Sequence, residues 1–207
     1  MNSLPVVARR YSPIKTPFSQ KAIAYTLNKP LPKYFSSDEI KKILSDELKE
    51  KDYTLYFFCL FLWNTGARVS EAISVVVEDI DLKGKVIRVK TLKRPDHFRA
   101  IPLQNQFIGE VAIWINQEGL KRGDRLFQFN RKTAYNYVRE ACILSDIKDE
   151  RCHPHTFRHS FAVNCILHGV PVTVLREWLG HRDITKTLIY TQILASDSRM
   201  FLDQVKF

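Results

Sequence analysis

The chain has 207 residues, enough for one large domain or one domain with an arm. Its 32 Lys and Arg against 22 Asp and Glu leave a net charge of +10, which fits a polyanionic partner or simply a basic soluble protein. Hydrophobic residues make up 45%, enough for a core, and the longest apolar run, Leu55 to Trp63, is too short to span a bilayer.

Residues 1–35 hold no Asp or Glu, six basic residues (Arg9, Arg10, Lys15, Lys21, Lys29 and Lys33) and five of the nine prolines. They read as an extended arm or linker, either tracking DNA or merely solvated. Met1 to Val7 runs into Arg9 and Arg10 with no apolar core, unlike a signal peptide. Ser36 and Glu39 have capping-box spacing, and Ile40, Ile43, Leu44 and Leu48 follow at helical intervals. Asp52 to Trp63 is apolar nearly all round, which predicts a central buried helix stopped by Thr65-Gly66. A short helix is expected over Arg68 to Ser74.

Val86, Ile87 and Val89 predict a strand, and Ala100, Ile101 and Leu103 a second, joined by the basic loop Lys90 to His97. Phe107 to Ile115 predicts a helix with Trp114 inward. Leu126-Phe127 is extended. Arg131 to Leu144 is a helix, with Tyr135, Val138 and Cys142 on its apolar side. His155 to His168 forms a helix after Pro154 that Gly169 stops. Pro171 opens the next, with Val174, Leu175 and Trp178 expected inside, and Gly180 ends it. Asp183 caps a turn leading to Tyr190. A last amphipathic helix covers about 196–206, with Met200, Phe201, Leu202 and Val205 apolar. Cys59, Cys142, Cys152 and Cys165 form no CxxC and read as buried reduced thiols of a cytosolic protein.

The stretch His153 to Tyr190 carries more polar groups than a core needs. Arg68, at a helix start after a glycine turn, could fork onto two phosphate oxygens, or form a surface pair with Glu71. His155 and Arg158, at i and i+3, share a helix face. They could hold the same phosphate and move a proton, or be ordinary surface groups. His159 reads equally well as structural. His181 follows a glycine that can turn it away from its helix, or acts as a C-cap histidine. Tyr190 has a poor nucleophile at its ordinary pKa near 10, but two arginines around a phosphate would favour its phenolate.

Arg68 in TGARVSEA, then HPHTFRHSFA, LREWLGH and Tyr190, together resemble the catalytic domain of the tyrosine recombinases, the phage-integrase and Xer-like family. The resemblance covers about residues 31–206. It implies an α+β, mostly helical domain over 36–207, with a small antiparallel β-sheet at one edge. It implies that Arg68 and Arg158 clamp a scissile phosphate, that His155 and His181 complete the pocket, and that Tyr190 attacks phosphorus to give a 3′-phosphotyrosyl link. The family's hairpin lysine, the general acid, is best matched by Lys93, with Lys90 and Arg94 close by. No metal or nucleotide cofactor is implied. The implied partners are double-stranded DNA and further copies of the chain, a tetramer at synapsis docking through the last helix. The implied location is cytoplasmic, on the nucleoid.

Family members carry an N-terminal helical domain of ~90 residues, within the usual domain range. Only the 35-residue basic arm precedes the catalytic part here, which suggests either a minimal member or a fragment or reduced form. Three other readings compete. A zinc site from Cys152, His153, His155, His159, Cys165 and His168 matches no closed ligand spacing. A type IB topoisomerase shares the tyrosine and arginines but not the ARVSEA and LGH motifs. A non-catalytic DNA-binding member would not need every catalytic position filled.

Overall fold

The computed structural model describes residues 30–91 and 98–195. The arm residues 1–29, the loop residues 92–97 with Lys93 and Arg94, and the expected C-terminal helix lie outside the described residues. Chain order is helix α1 (Ser37–Ile43), α2 (Asp46–Lys51), α3 (Tyr53–Thr65) and α4 (Val69–Ala72). Strands β1 (Ile80–Asp81), β2 (Val86–Lys90) and β3 (Phe98–Pro102) follow. Then come α5 (Asn105–Gln117), α6 (Arg131–Leu144), α7 (Pro154–Leu167), α8 (Val172–Leu179), α9 (Thr185–Leu188), a 3₁₀ turn (Ile189–Thr191) and α10 (Gln192–Ala195). The fold is mostly helical with one three-stranded antiparallel sheet, ordered β1-β2-β3, as the resemblance implied.

Capping explains how the first helices divide. Ser36 and Glu39 close a reciprocal box at α1. The apolar periodicity suggested one helix through Leu48, but the chain breaks at Leu44. Ser45 starts α2 by accepting from the Leu48 amide at 3.3 Å. A serine oxygen that satisfies an orphan amide outcompetes one more turn of helix. Asp52 caps α3 in the same way, accepting from the Leu55 amide at 2.9 Å.

Helix α3 is the axis of the core. Leu55, Phe57, Phe58, Cys59, Phe61 and Leu62 are essentially inaccessible. Each buried phenylalanine contributes about 1.5–3 kcal/mol. Around them, Phe57 stacks on Trp114 of α5 at 4.7 Å between centroids, and Phe61 meets Phe127 edge-on at 5.2 Å. The Trp114 indole donates to the Leu126 carbonyl at 2.8 Å, so the ring is buried without an orphaned N–H. On α6 the inward stripe is Ala134, Val138, Ala141 and Cys142, with Tyr135 only half-buried. Two small residues there let α6 approach α3 closely.

Helix α7 bridges two cores. Its Phe157 belongs to the large cluster around α3. Its Phe161, Val163, Cys165 and Ile166 belong to a smaller one with Leu175, Leu179 and Tyr190. Phe35, just before α1, is also buried: its ring meets Phe157 edge-on at 5.4 Å and its amide donates to Ser160 Oγ at 2.8 Å. In α8, Leu175 and Leu179 face inward, Trp178 is half-buried, and Val174 is exposed, against expectation. The eight-residue helix rests on α7 through one narrow stripe that does not reach Val174.

The hairpin gains an unexpected third strand, with Ile80 opposite Ile87 and Asp81 opposite Val86. In the β2–β3 register, Val89 pairs with Arg99 and Ile87 with Ile101. These four residues are buried, while Arg88, Lys90 and Phe98 face out. Arg99 therefore lies on the core side of the sheet.

Candidate active site

Three segments converge where the two cores meet. The first is the turn after α3. Gly66 ends that helix in the left-handed region (φ 57°), which favours glycine, and Arg68 starts α4. The Arg68 amide donates to Glu71 Oε2 and its guanidinium to Oε1, both at 2.9 Å. The surface pair considered from sequence does form, but Glu71 is not at the surface. It is 2% exposed and also takes Arg99 Nη2 at 2.6 Å. Burial pushes the Glu71 carboxyl up, but Arg99 and the Arg68 amide and charge outweigh it, holding it below the usual range. Arg68 is thus pinned by one arm while its side chain remains 38% exposed.

The second segment is α7. Arg158 is 3% exposed. It donates through Nη1 to the Gly66 carbonyl at 2.7 Å and through Nη2 to the Leu179 carbonyl at 2.5 Å. Burial, with the neighbouring Arg68 charge, pulls the guanidinium down to about 9, still charged at neutral pH. His155, one turn earlier, is exposed, and partial desolvation, with the Arg158 charge, lowers its pKa.

The third segment is the corner after α8. Gly180 (φ 65°) turns the chain and presents His181 to Arg158, with Nε2 3.0 Å from Nη2. Burial and then Arg158 push His181 down to about 3, so it is neutral. An arginine only donates, so Nε2 accepts and Nδ1–H points at Thr187 Oγ1, 2.9 Å away. Tyr190, 2% exposed on the 3₁₀ turn, sets its hydroxyl 2.8 Å from His159 Nδ1. Burial and then the His155 charge bring His159 to about 4. A neutral His159 can accept the phenol proton. Burial raises Tyr190 above its ordinary value despite the opposing charges of Arg158 and Arg68, so the hydroxyl holds its proton at neutral pH.

The fold thus gathers Arg68, His155, Arg158, His181 and Tyr190, while Lys93 lies outside the described residues. Lys90 is exposed at the end of β2, its ammonium 6.0 Å from the Phe98 ring centroid. Sequence reasoning missed Arg99 and Thr187, offered Glu71 only as a surface partner of Arg68, and left His159 undecided. A signal existed for Arg99: it alternates in phase with Ile101 and Leu103, an arginine on an inward face. Buried Arg158 and half-buried Arg68, with neutral His181 beside them, form a cationic wall suited to a phosphodiester. Among the described residues, no three His, Cys, Asp or Glu side chains lie close enough to hold a metal. No described helix is long and apolar enough to cross a membrane.

The phage integrase family model matches residues 33–196. The chain belongs to the phage integrase family. Among its relatives is a tyrosine recombinase of Pseudothermotoga lettingae, 29% identical over 189 residues, covering 87% of this chain and 60% of that protein. The XerA recombinase crystal structure shares the fold with a TM-score of 0.71 at 23% identity, over 86% of this chain and 68% of that one. The XerH recombinase bound to its difH substrate, in a pre-cleavage complex, gives 0.66 at 22% identity, over 83% of this chain and 53% of that one. The chain spans about 60% of the length of the curated relatives it matches.

Proposed function

We propose that this family member is a site-specific recombinase that cleaves and rejoins strands of double-stranded DNA through Tyr190. The observation that carries the reading is the Tyr190 hydroxyl, buried yet bonded to a neutral imidazole, beside the wall built by Arg158, His181 and Arg68. Tyr190 Oη attacks phosphorus and the bond from phosphorus to the 5′ oxygen breaks. The products are a 3′-phosphotyrosyl ester and a 5′-hydroxyl. The phenol proton passes to imidazole, with His159 already in place and His155 one turn away. Lys93 is assigned the proton delivered to the leaving oxygen. Arg68, Arg158 and His181 bind the nonbridging oxygens, where charge grows in the transition state.

The ester keeps the phosphodiester's bond energy. A 5′-hydroxyl of a partner duplex can therefore reverse the step without a nucleotide or metal. The net charge of +10 supplies sequence-independent phosphate attraction. Residues 36–207 are assigned to the catalytic domain, with Phe35 packed into its core, and the residues before that are assigned the role of a basic arm. Residues 196–206 are assigned to docking on a neighbouring protomer in a tetramer at synapsis. Acting on chromosomal DNA, the protein would work in the cytoplasm at the nucleoid.

The test is incubation with a randomised pool of singly nicked duplexes, followed by a denaturing gel. A covalent adduct is expected that selects a site, and that Tyr190→Phe does not form. An adduct persisting in that variant would move the nucleophile elsewhere. Relaxation of plasmids lacking the selected site would make the protein a topoisomerase instead.

A further inference from the structure

Resting on that cleavage reaction, we infer that Arg99 is a positioning residue that ties the β-hairpin to both the Arg68 arm and the His181 corner. Arg99 is 6% exposed on the inward face of β3. Its Nη2 donates to Glu71 Oε2 at 2.6 Å, and Glu71 in turn holds the backbone and guanidinium of Arg68. Its Nε donates to the Trp178 carbonyl at 2.7 Å. Trp178 immediately precedes Leu179 and Gly180, so this bond fixes the corner whose Leu179 carbonyl receives Arg158 and whose next residue is His181. One guanidinium therefore touches the supports of three pocket residues without facing the phosphate itself.

Two further features favour a geometric role. Arg99 Nη1 is buried and is the polar side-chain atom with no hydrogen-bond partner among the described residues. A guanidinium that leaves a donor unpaired contributes little to stability, because burying it costs nearly what its bonds return. Its planar fork instead sets the distance between its two partners. It also lies hard against the corner: a Cβ on Gly180 would sit 3.2 Å from both Arg99 Cδ and Nη1.

The test uses single-turnover adduct formation on the selected nicked duplex at saturating protein, with duplex Kd and thermal melting measured in parallel. Arg99→Met is expected to slow adduct formation by tenfold or more, as about an ångström of misplacement can, while duplex Kd stays at the wild-type value. Arg99→Lys keeps a cation opposite Glu71, but its single ammonium cannot span Glu71 and Trp178. It is expected to fold and to react at an intermediate rate. A wild-type rate in either variant would overturn the inference, and so would a loss in which rate and affinity fall together. If Arg99→Met does not fold, Arg99→Lys decides by the same two measures. A wild-type protein that forms no Tyr190-dependent adduct would instead sink the proposed reaction.

Discussion

Gly66→Ala probes the joint on which the site turns. Gly66 carries three demands: a left-handed backbone at φ 57°, a carbonyl that takes Arg158, and contact with Phe161. A methyl there would lie 2.3 Å from Phe161 Cδ1 and 2.9 Å from Cε1. The backbone conformation alone costs an L-residue roughly 1–2 kcal/mol. Forcing the ring aside adds about 1–3 kcal/mol of overpacking. The sum is roughly 2–5 kcal/mol, a large share of a small domain's stability of about 5–15 kcal/mol. Gly119 supplies the control. Its φ is 61°, yet nothing lies within 4 Å of its virtual Cβ, so Gly119→Ala meets backbone strain alone. Urea unfolding of both variants, read as midpoint shifts at constant slope, should separate them by the steric part. Adding Phe161→Leu should recover some stability in Gly66→Ala and none in Gly119→Ala. Equal destabilisation of the two alanine variants would refute the packing argument.

Three other outcomes are expected. His159 and His181 sit at about 4 and about 3, below their ordinary 6.5. The folded state then binds fewer protons than the unfolded one. Each histidine's contribution is complete above pH 6.5 and is lost as pH falls toward its folded value. Stability should drop between pH 6.5 and 5 with a slope of up to about 1.4 kcal/mol per pH unit for each, and His181→Gln should lower that slope; an unchanged slope in urea titrations would reject the assignment. Thr187→Val removes the acceptor of His181 Nδ1–H, fully buried in α9. It should cost about 1–3 kcal/mol in urea unfolding and slow adduct formation at constant duplex affinity. Tyr190→Phe loses one hydrogen bond, so its stability should change by only about 1 kcal/mol while its adduct disappears on the gel; a large fall in melting temperature would mean that the hydroxyl anchors the fold.

Much of the site could be read before the fold was known, because its chemistry is written in local motifs. Gly66 and Gly180 mark turns by their freedom at positive φ. Pro154 marks a start by its fixed φ in the first turn and Asp183 a turn by accepting the Thr185 amide, and His155 and Arg158 share a face by helical spacing. The capping box at Ser36 and the apolar length of α3 followed from short-range rules as well. The break at Ser45 did not, because periodicity and a competing cap point opposite ways and only local energy chooses. Nor did the burial of Glu71, which looks like a solvent carboxylate in TGARVSEA until β3 arrives over it. The pairing of His159 with Tyr190, 31 residues apart, depends on how the 3₁₀ turn folds back onto α7. Arg99 reaches Glu71 and Trp178 across 28 and 79 residues, distances no sequence pattern encodes. The sequence by itself determined which groups could do the chemistry and where each helix must begin or end. Only the tertiary structure decided which charges are buried against one another, because desolvation and pairing are properties of the packed interior.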